Sequence, residues 1–520
     1  MTQDCSPQNV DTENNQLGNF NQKQDEPQIQ LNSQDSNSKK PIFKNKFKFV
    51  VMIFHTSINI LQYAVCLSLL NTILVQLPTV LHWKDSEIDA FTGLVNSANT
   101  AGAAIGCISS GYLSALYGRR TLFIVGDIFC IIGSAIMLIQ NTGSFVFGRF
   151  ICGIGMGILV DLAVLFVIEY TYYRYRGYTG APMVCFTPIG LIISSCIGLG
   201  VENGGDQYWR IVIAIPGMIS LFHLLTYKLM CPHDSPYYIY QKYRDEEKVM
   251  QILSEYYHED AAKDILNKIK EAIIAQTKEK AKKHLNLLDL IKHSGYRMRL
   301  FVASLCVFSV NFSGYFIITV YTNIIIMKET NDNQYATYFS LYTSLADLFS
   351  VALSVFVIER VGRKFLYQSG QLFCAIMLLI IGFLAHYGTD QPIKFLLIVF
   401  KIGFGLTISP LYPIILSELV PEVGFVVTSI VFWVLNTAIV QSFPSLIASE
   451  LGFDGMFWLF GAVMSVIFIL LAIYMKETKG KTQYEIYDMY TNPKKSSSQT
   501  KVSSIQELPI KQVSSTENDS

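Results

Sequence analysis

The sequence predicts an all-α membrane protein, with about twelve transmembrane helices arranged as two six-helix halves. Three observations carry that prediction. Of the 520 residues, 51% are hydrophobic and only 15% charged, against about 25% charged in an ordinary soluble chain. The apolar residues gather into runs of roughly 20, the length an α-helix needs to cross a bilayer. A short charged hairpin between two such runs, GYLSALYGRR (Gly111 to Arg120), has a partner in the second half, IERVGRK (Ile358 to Lys364).

Residues 1–43 are rich in Gln, Asn, Asp and Ser and are expected to form a disordered tail. They lack the basic and apolar regions of a signal peptide. Apolar runs follow, centred on 48–70, 91–115, 121–140, 145–168, 179–201, 209–230, 300–326, 336–358, 365–387, 395–417, 424–447 and 455–475. Basic residues occupy alternate loops: the lysines before residue 50, Arg119 and Arg120, Arg174 and Arg176, the 240–299 segment, Arg360 to Lys364, and Lys476 to Lys481. The other loops carry mainly acids, including Asp85, Asp89, Glu202, Asp206 and Glu450. With an even number of spans, the positive-inside rule puts both termini in the cytoplasm.

The expected domains are a six-helix half over 44–236, a cytoplasmic amphipathic linker over 237–298, a second half over 299–480 and a polar tail over 481–520. Within the linker, Val249, Ile252, Leu253 and Tyr256, then Ile265, Ile269 and Ile273, recur at helical spacing. The linker reads as a solvated connection or as a binding module. Zero net charge confined to loops excludes a basic nucleic-acid binder. Ten scattered cysteines without a C-x-x-C pair read as buried small hydrophobes rather than a metal site or disulfide framework. No phosphate loop, cofactor motif or catalytic constellation is present, so the chain does not read as an enzyme.

The halves can be laid against each other. Gly118-Arg119-Arg120 precedes Glu169 by 51 residues, and Gly362-Arg363-Lys364 precedes Glu418 by 56. Each interval holds two helices. Repeated charged hairpins of this kind are the mark of transporters built from structural repeats.

At these residues the sequence resembles the sugar-porter branch of the major facilitator superfamily. GYLSALYGRR resembles that family's G-x-x-x-D-x-x-G-R-R hairpin, and ERVGRK its second copy. GRFICGIGMG (Gly148 to Gly157), with Glu169 and Arg176-Gly177, resembles the fourth-helix pattern. Tyr208-Trp209-Arg210, Asp234-Ser235-Pro236 and Lys476 to Gly480 resemble the start of helix six, the P-E-S-P-R motif and the P-E-T-K-G motif. The resemblance extends from about residue 60 to 486. It implies the major facilitator fold and alternating-access transport of a small polar solute, a sugar or polyol, through a lipid bilayer, without a cofactor and without nucleic acid. Oligomeric state stays open. The alternatives are an organic-ion carrier using Asp347 and a non-transporting nutrient sensor on the same fold.

The resemblance also implies a gating network of Gly118, Arg119, Arg120, Glu169, Arg176 and Asp234 in one half, with Glu359, Arg363, Glu418 and Glu477 in the other. In the family this network clamps the halves together on the cytoplasmic side when the outside is open. Topology alone is the competing reading of these charges. The family's hairpin acid is replaced by Ala115, so the gate is expected to be asymmetric.

The substrate path departs further. The helix-seven amides reduce to Asn311, the helix-five glutamine becomes Val184, and Pro413 stands in place of the helix-ten tryptophan. Helix eleven keeps Trp433 and Asn436. Asp347 lies mid-membrane where many sugar porters place an asparagine, and Asp161 is a second intramembrane acid. Such acids face a cavity or a partner. Asp347 reads as a substrate contact, a protonation site or a structural partner of Lys401. The helix-one acid of proton-driven members is absent at Gln62-Tyr63-Ala64, where Gln62 remains a candidate substrate contact, so facilitated diffusion is the expectation. His55 and His223 read as packing residues.

Overall fold

The computed structural model describes residues 42–172, 175–200, 207–282, 294–330, 332–358, 360–388, 390–479, 481 and 483–491. Twelve helical segments account for the apolar runs. In the first half these are α1 (Lys46–Ile73), α2 (Ile88–Tyr117), α3 (Arg119–Met137), α4 (Thr142–Tyr170), α5 (Arg176–Gly198) and α6 (Tyr208–Met230). In the second they are α7 (Ser294–Phe312, resuming as Tyr315–Thr330), α8 (Asn333–Ile358), α9 (Arg363–His386), α10 (Asp390–Leu406, resuming as Ile408–Leu419), α11 (Glu422–Ala448) and α12 (Gly452–Tyr474). Ten are long and apolar enough to span a membrane by length and composition alone. Of the remaining two, α2 spends its surface on Asn96, Ser97, Asn99 and Thr100, all buried inside the bundle, and α5 is apolar over a shorter stretch, Pro182–Gly198.

Raising each helix number by six maps one half's packing onto the other's. α2 packs on α4 as α8 packs on α10, α3 on α6 as α9 on α12, and α1 on α5 as α7 on α11. Contacts between the halves obey the same operation: α2 meets α11, α8 meets α5, and α1 meets α7.

Glycines set the spacing in the first half. A Cβ built on Gly153 would lie 2.2 Å from the Asn99 carbonyl oxygen, and one on Gly157 2.3 Å from that of Ala103, both on α2. On the other side of α4, Gly148 and Gly155 meet the Gly133 and Gly126 carbonyls of α3 at 2.7 and 2.5 Å. The GRFICGIGMG motif is thus a two-sided packing surface, the small-residue device by which membrane helices approach closely. In the second half, Gly314 (φ 83°) breaks α7 in a conformation that side chains other than glycine rarely adopt.

The segment between the halves forms Pro236–Tyr243, Glu246–Ser254 and Glu259–Lys282. Val249, Ile252, Leu253, Tyr256, Ile265, Ile269 and Ile273 are all buried there. Lys48 at the start of α1 pairs with Glu255 at 2.5 Å. Three expected boundaries shift. α7 is already helical at Ser294, the first described residue after the linker, where the second half was expected to start at 299. Phe43, expected in the tail, bridges Tyr257. Gln483–Thr491 is helical where only tail was expected; Tyr487 rests on Tyr296 with ring centroids 4.7 Å apart, and the Tyr490 hydroxyl accepts from the Lys476 amide. The rest of both expected tails, with 283–293 of the linker, lies outside the described residues.

Replacing Gly157 with leucine forces α4 from α2, and overpacking of this kind costs about 1–3 kcal/mol. The purified Gly157→Leu variant should melt below the parent in a detergent thermal-shift assay. Gly111→Ala, with nothing within 4 Å of the added carbon, should match or exceed the parent.

Candidate functional site

The charged hairpins lie on one side of the bundle, called here the basic side. Gly118 (φ 91°) ends α2 and starts α3. A Cβ there would sit 2.1 Å from an Asp234 carboxylate oxygen. Asp234 Oδ1 accepts from the amides of Ser235, Arg119 and Arg120 at 2.7, 3.0 and 3.3 Å, capping α3. Burial pushes the Asp234 carboxyl above its usual range, and those amides pull against that rise. The Arg119 guanidinium forks onto Glu169 at 2.7 and 3.1 Å and also bonds the Ser114 carbonyl. Arg120 reaches the Pro232 carbonyl at 2.6 Å.

The second half repeats this construction. Glu477 accepts from the amides of Arg363 and Lys364 at 3.0 and 3.1 Å, capping α9, and Arg363 pairs with Glu418. The sequence expectation was a network joining the halves. In the structure, the bonds of Arg119, Arg120, Glu169, Asp234, Arg363, Glu418 and Glu477 described above each stay within one half. The Arg176 side chain and Glu359 lie outside the described residues.

The halves meet at the opposite end. Asn71 of α1 donates to Asn323 of α7 and Ser340 of α8, each at 3.3 Å, and the Asn323 amide returns a bond to Asn71 at 3.1 Å. Ser97 of α2 bonds Gln441 of α11. A cleft of about 500 Å³ lies outside this seal, lined by Trp83, Asp85, Asp89, Tyr321 and Phe443 among others. Toward the basic side, α4 exposes Asp161, Val164, Leu165 and Ile168 at helical spacing, and α10 exposes Pro413 and Ser417.

Polar groups converge midway between these ends. In the second half, Asp347 is buried and accepts the Tyr315 hydroxyl at 2.7 Å. Lys401 Nζ stands 3.9 Å from the centre of the Tyr315 ring and donates to Thr319. Tyr315 thus bridges acid and cation, bonding one with its hydroxyl and facing the other with its ring. Phe404 stacks on that ring at 4.3 Å. Gly405 lets α10 come close, since a Cβ there would lie 2.9 Å from Asp347 Oδ1. Asn311 donates to the Val307 carbonyl at 3.0 Å while its Oδ1 is buried without a partner, and Asn436 Oδ1 is buried in the same condition.

In the first half, Asp161 lies near Ser110 Oγ at 3.4 Å and beside the Cys107 thiol. That thiol also meets Trp433 of α11. Tyr63 of α1 is close to Asp161 on one side and Tyr315 on the other. Gln62 departs from its expected role. Its amide donates to the Pro216 carbonyl of α6 at 2.8 Å, so it is turned into the first half. The sequence reading also missed Tyr315, whose signal was its place directly after the helix break. It missed Arg149 as well, a charge in an apolar run whose guanidinium bonds the Cys66 and Val95 carbonyls at 2.9 and 3.4 Å.

Two six-helix halves sealed at one end, with a polar floor between them, define a secondary transporter of the major facilitator fold. The profile of the family described as "Sugar (and other) transporter" matches residues 42–490, and the chain belongs to that family of membrane transporters for sugars and other solutes. It is 26% identical to hexose transporter 1 of Plasmodium falciparum, covering 86% of this chain and 93% of that one. It is also 26% identical to a facilitated glucose transporter (solute carrier family 2, member 2) of Sus scrofa, over 79% and 80%, and to an arabinose-proton symporter of Bacillus subtilis, over 76% and 86%. Among solved structures it is similar to the proton:xylose symporter XylE bound to 6-bromo-6-deoxy-D-glucose, with TM-score 0.73 and 18% identity over 86% of this chain and all of that one.

The Arg119–Glu169 pair is nearly buried, with side chains 6% and 8% exposed. Removing one partner of such a pair typically costs about 3–5 kcal/mol. A double-mutant cycle of Arg119→Ala and Glu169→Ala, read by thermal unfolding, should show the double variant losing clearly less than the sum of the singles. Because the pair lies within one half, cysteine accessibility at the two ends of the bundle should show an unchanged balance of conformations in any single variant that folds.

Proposed function

We propose that this protein is a facilitative carrier for a hexose-sized sugar, working by alternating access with both termini in the cytoplasm. The observation that carries the sugar reading is the pair of unpartnered amide oxygens, Asn311 Oδ1 and Asn436 Oδ1, on the polar floor between the halves. A buried acceptor without a donor costs about 1–3 kcal/mol, and a sugar hydroxyl supplies the missing donor. Trp433 and Tyr63 offer the apolar surfaces that a sugar ring covers. The hexose and glucose transporters among the relatives support the same substrate class.

Those relatives include both a proton symporter and a facilitated carrier, so the coupling argument rests on this chain's own residues. α1 contains no Asp or Glu, and the buried Arg149 is satisfied by backbone carbonyls rather than a carboxylate. Among the described residues Arg149 therefore has no acid partner whose protonation would release it. Asp347, held by Tyr315 beside Lys401, is a positioning group at the floor rather than an open cation site, which disfavours the organic-ion reading through that residue.

Orientation follows the basic loops. The hairpins, the 237–298 linker and both tails face the cytoplasm, while residues 44–236 and 299–480 form the two moving halves. The seal at Asn71, Asn323 and Ser340 then closes the outer end, which makes this the inward-facing arrangement. Each half moves as a body because its hairpin charges are paired within it and, in the first half, the α4 glycine contacts are internal.

Purified protein in liposomes should equilibrate radiolabelled glucose without accumulating it, at a rate indifferent to an imposed pH gradient. Accumulation driven by an inward proton gradient would refute the facilitative reading, and absence of any sugar flux would refute the transport reading. Asn311→Ala and Asn436→Ala should each raise KM about three- to tenfold, the worth of one hydrogen bond.

A further inference from the structure

Five acids in or at the ends of the spans have a cationic or protonatable neighbour. Asp127 meets His223, Glu169 meets Arg119, Asp347 has Lys401 nearby, Glu418 meets Arg363 and Asp454 meets His386. Asp161 differs. Its polar neighbours are the Ser110 hydroxyl, the Cys107 thiol and the Tyr63 phenol, none of which carries positive charge. Among the described residues it forms no ion pair. It is also exposed, although it lies mid-helix beside Ser110 and Cys107 of α2 and near Tyr63 of α1. An intramembrane acid persists when it faces a water-filled cavity or meets a counter-charge. Asp161 is exposed mid-helix and, among the described residues, lacks the counter-charge, so it is read as facing water in the cleft.

The balance across the cavity makes this consequential. Asp347 and Lys401 offset one another in the second half, leaving Asp161 as the uncompensated acid on the substrate path. Arg149, the buried cation of the same helix, is twelve residues away, about 18 Å at the helical rise, and is held by carbonyls of α1 and α2. A neutral sugar leaves the Asp161 charge unanswered, whereas a sugar bearing an ammonium group answers it. Tyr63 near the carboxylate, and Trp433 beyond the Cys107 thiol, suit such a ligand twice over, since aromatic faces take both a sugar ring and a cation.

We propose that Asp161 makes this carrier selective for cationic amino sugars, with a protonated hexosamine preferred over the neutral hexose of the same shape. This inference rests on the sugar-carrier reading above and adds the charge of the preferred substrate. Specificity here is a difference between two affinities, so the test is a ratio.

The test uses the full-length protein in liposomes with radiolabelled glucose, glucosamine and N-acetylglucosamine at neutral pH, where the carboxylate is ionised and the free amine is still largely protonated. The expected kcat/KM for glucosamine exceeds that for glucose by about tenfold, about 1.4 kcal/mol. N-acetylglucosamine, whose amide is neutral, should lose that advantage, and alkaline pH should erase it for glucosamine. Asp161→Asn should bring the glucosamine-to-glucose ratio close to one, and Asp161→Glu should restore part of it. Equal transport of glucose and glucosamine by the parent protein, or a ratio that survives Asp161→Asn, overturns the inference while leaving the carrier standing. Flux of none of the three sugars overturns both. Glucose accumulation driven by protons and abolished in Asp161→Asn would assign the acid to proton binding instead. If neither variant folds, the parent's N-acetyl and pH comparisons decide the matter.

Discussion

The structure depends first on each half satisfying its own charges. Asp234 and Glu477 cap α3 and α9 through backbone amides, and Arg119 and Arg363 hold the ends of α4 and α10 through Glu169 and Glu418. An arginine at the membrane boundary without a carboxylate would seek one wherever it could be found, including across the cleft. With that demand met internally, opening the basic end exposes no unpaired charge from these pairs. The cost of opening falls instead on apolar and weak polar contacts, which a transport cycle can break and remake.

The glycine seams on both faces of α4 add to this. Backbone lies against backbone at Gly153, Gly157, Gly148 and Gly155, so α2, α3 and α4 cannot slide past one another without separating. Rigidity inside the half forces motion onto the interface between halves. The bonds seen at that interface, Asn71 with Asn323 and Ser340 and Ser97 with Gln441, join neutral groups. Neutral hydrogen bonds are worth about 0.5–1.5 kcal/mol each, enough to hold an end closed and few enough to release.

Much of this was legible in the sequence because local features record it. Spans follow from runs of apolar residues, and the hairpins follow from a glycine beside arginines. The acids that meet those arginines follow from the repeat of Glu169 at Glu418 and of Asp234 at Glu477. What the sequence hid was direction. Gln62 and Tyr63 are adjacent on one helix, yet Gln62 turns to Pro216 in its own half while Tyr63 turns to the cleft. A helix places neighbours about 100° apart, and only the packing of α6 decides which faces inward. The role of Lys401 was hidden for a similar reason. Its partner is the face of Tyr315, and no spacing rule joins residues on separate helices through a ring. The clamp between halves is expected by resemblance when the outer end is open; in this arrangement, with that end sealed, the bonds of these charges lie within their own half.

α4 shows how one helix can serve three purposes without interference between them. Glu169 at its basic end belongs to the hairpin, Asp161 faces the cleft, and Arg149 near the opposite end ties α1 to α2 through carbonyls. Each step of eight to twelve residues is about 12–18 Å along the axis, too far for direct pairing even in a medium that screens poorly. Had Arg149 stood two turns closer, it would have come within pairing distance of Asp161. The spacing along α4 keeps the structural charges near the ends and leaves Asp161, among the described residues, without a charged partner on its own helix.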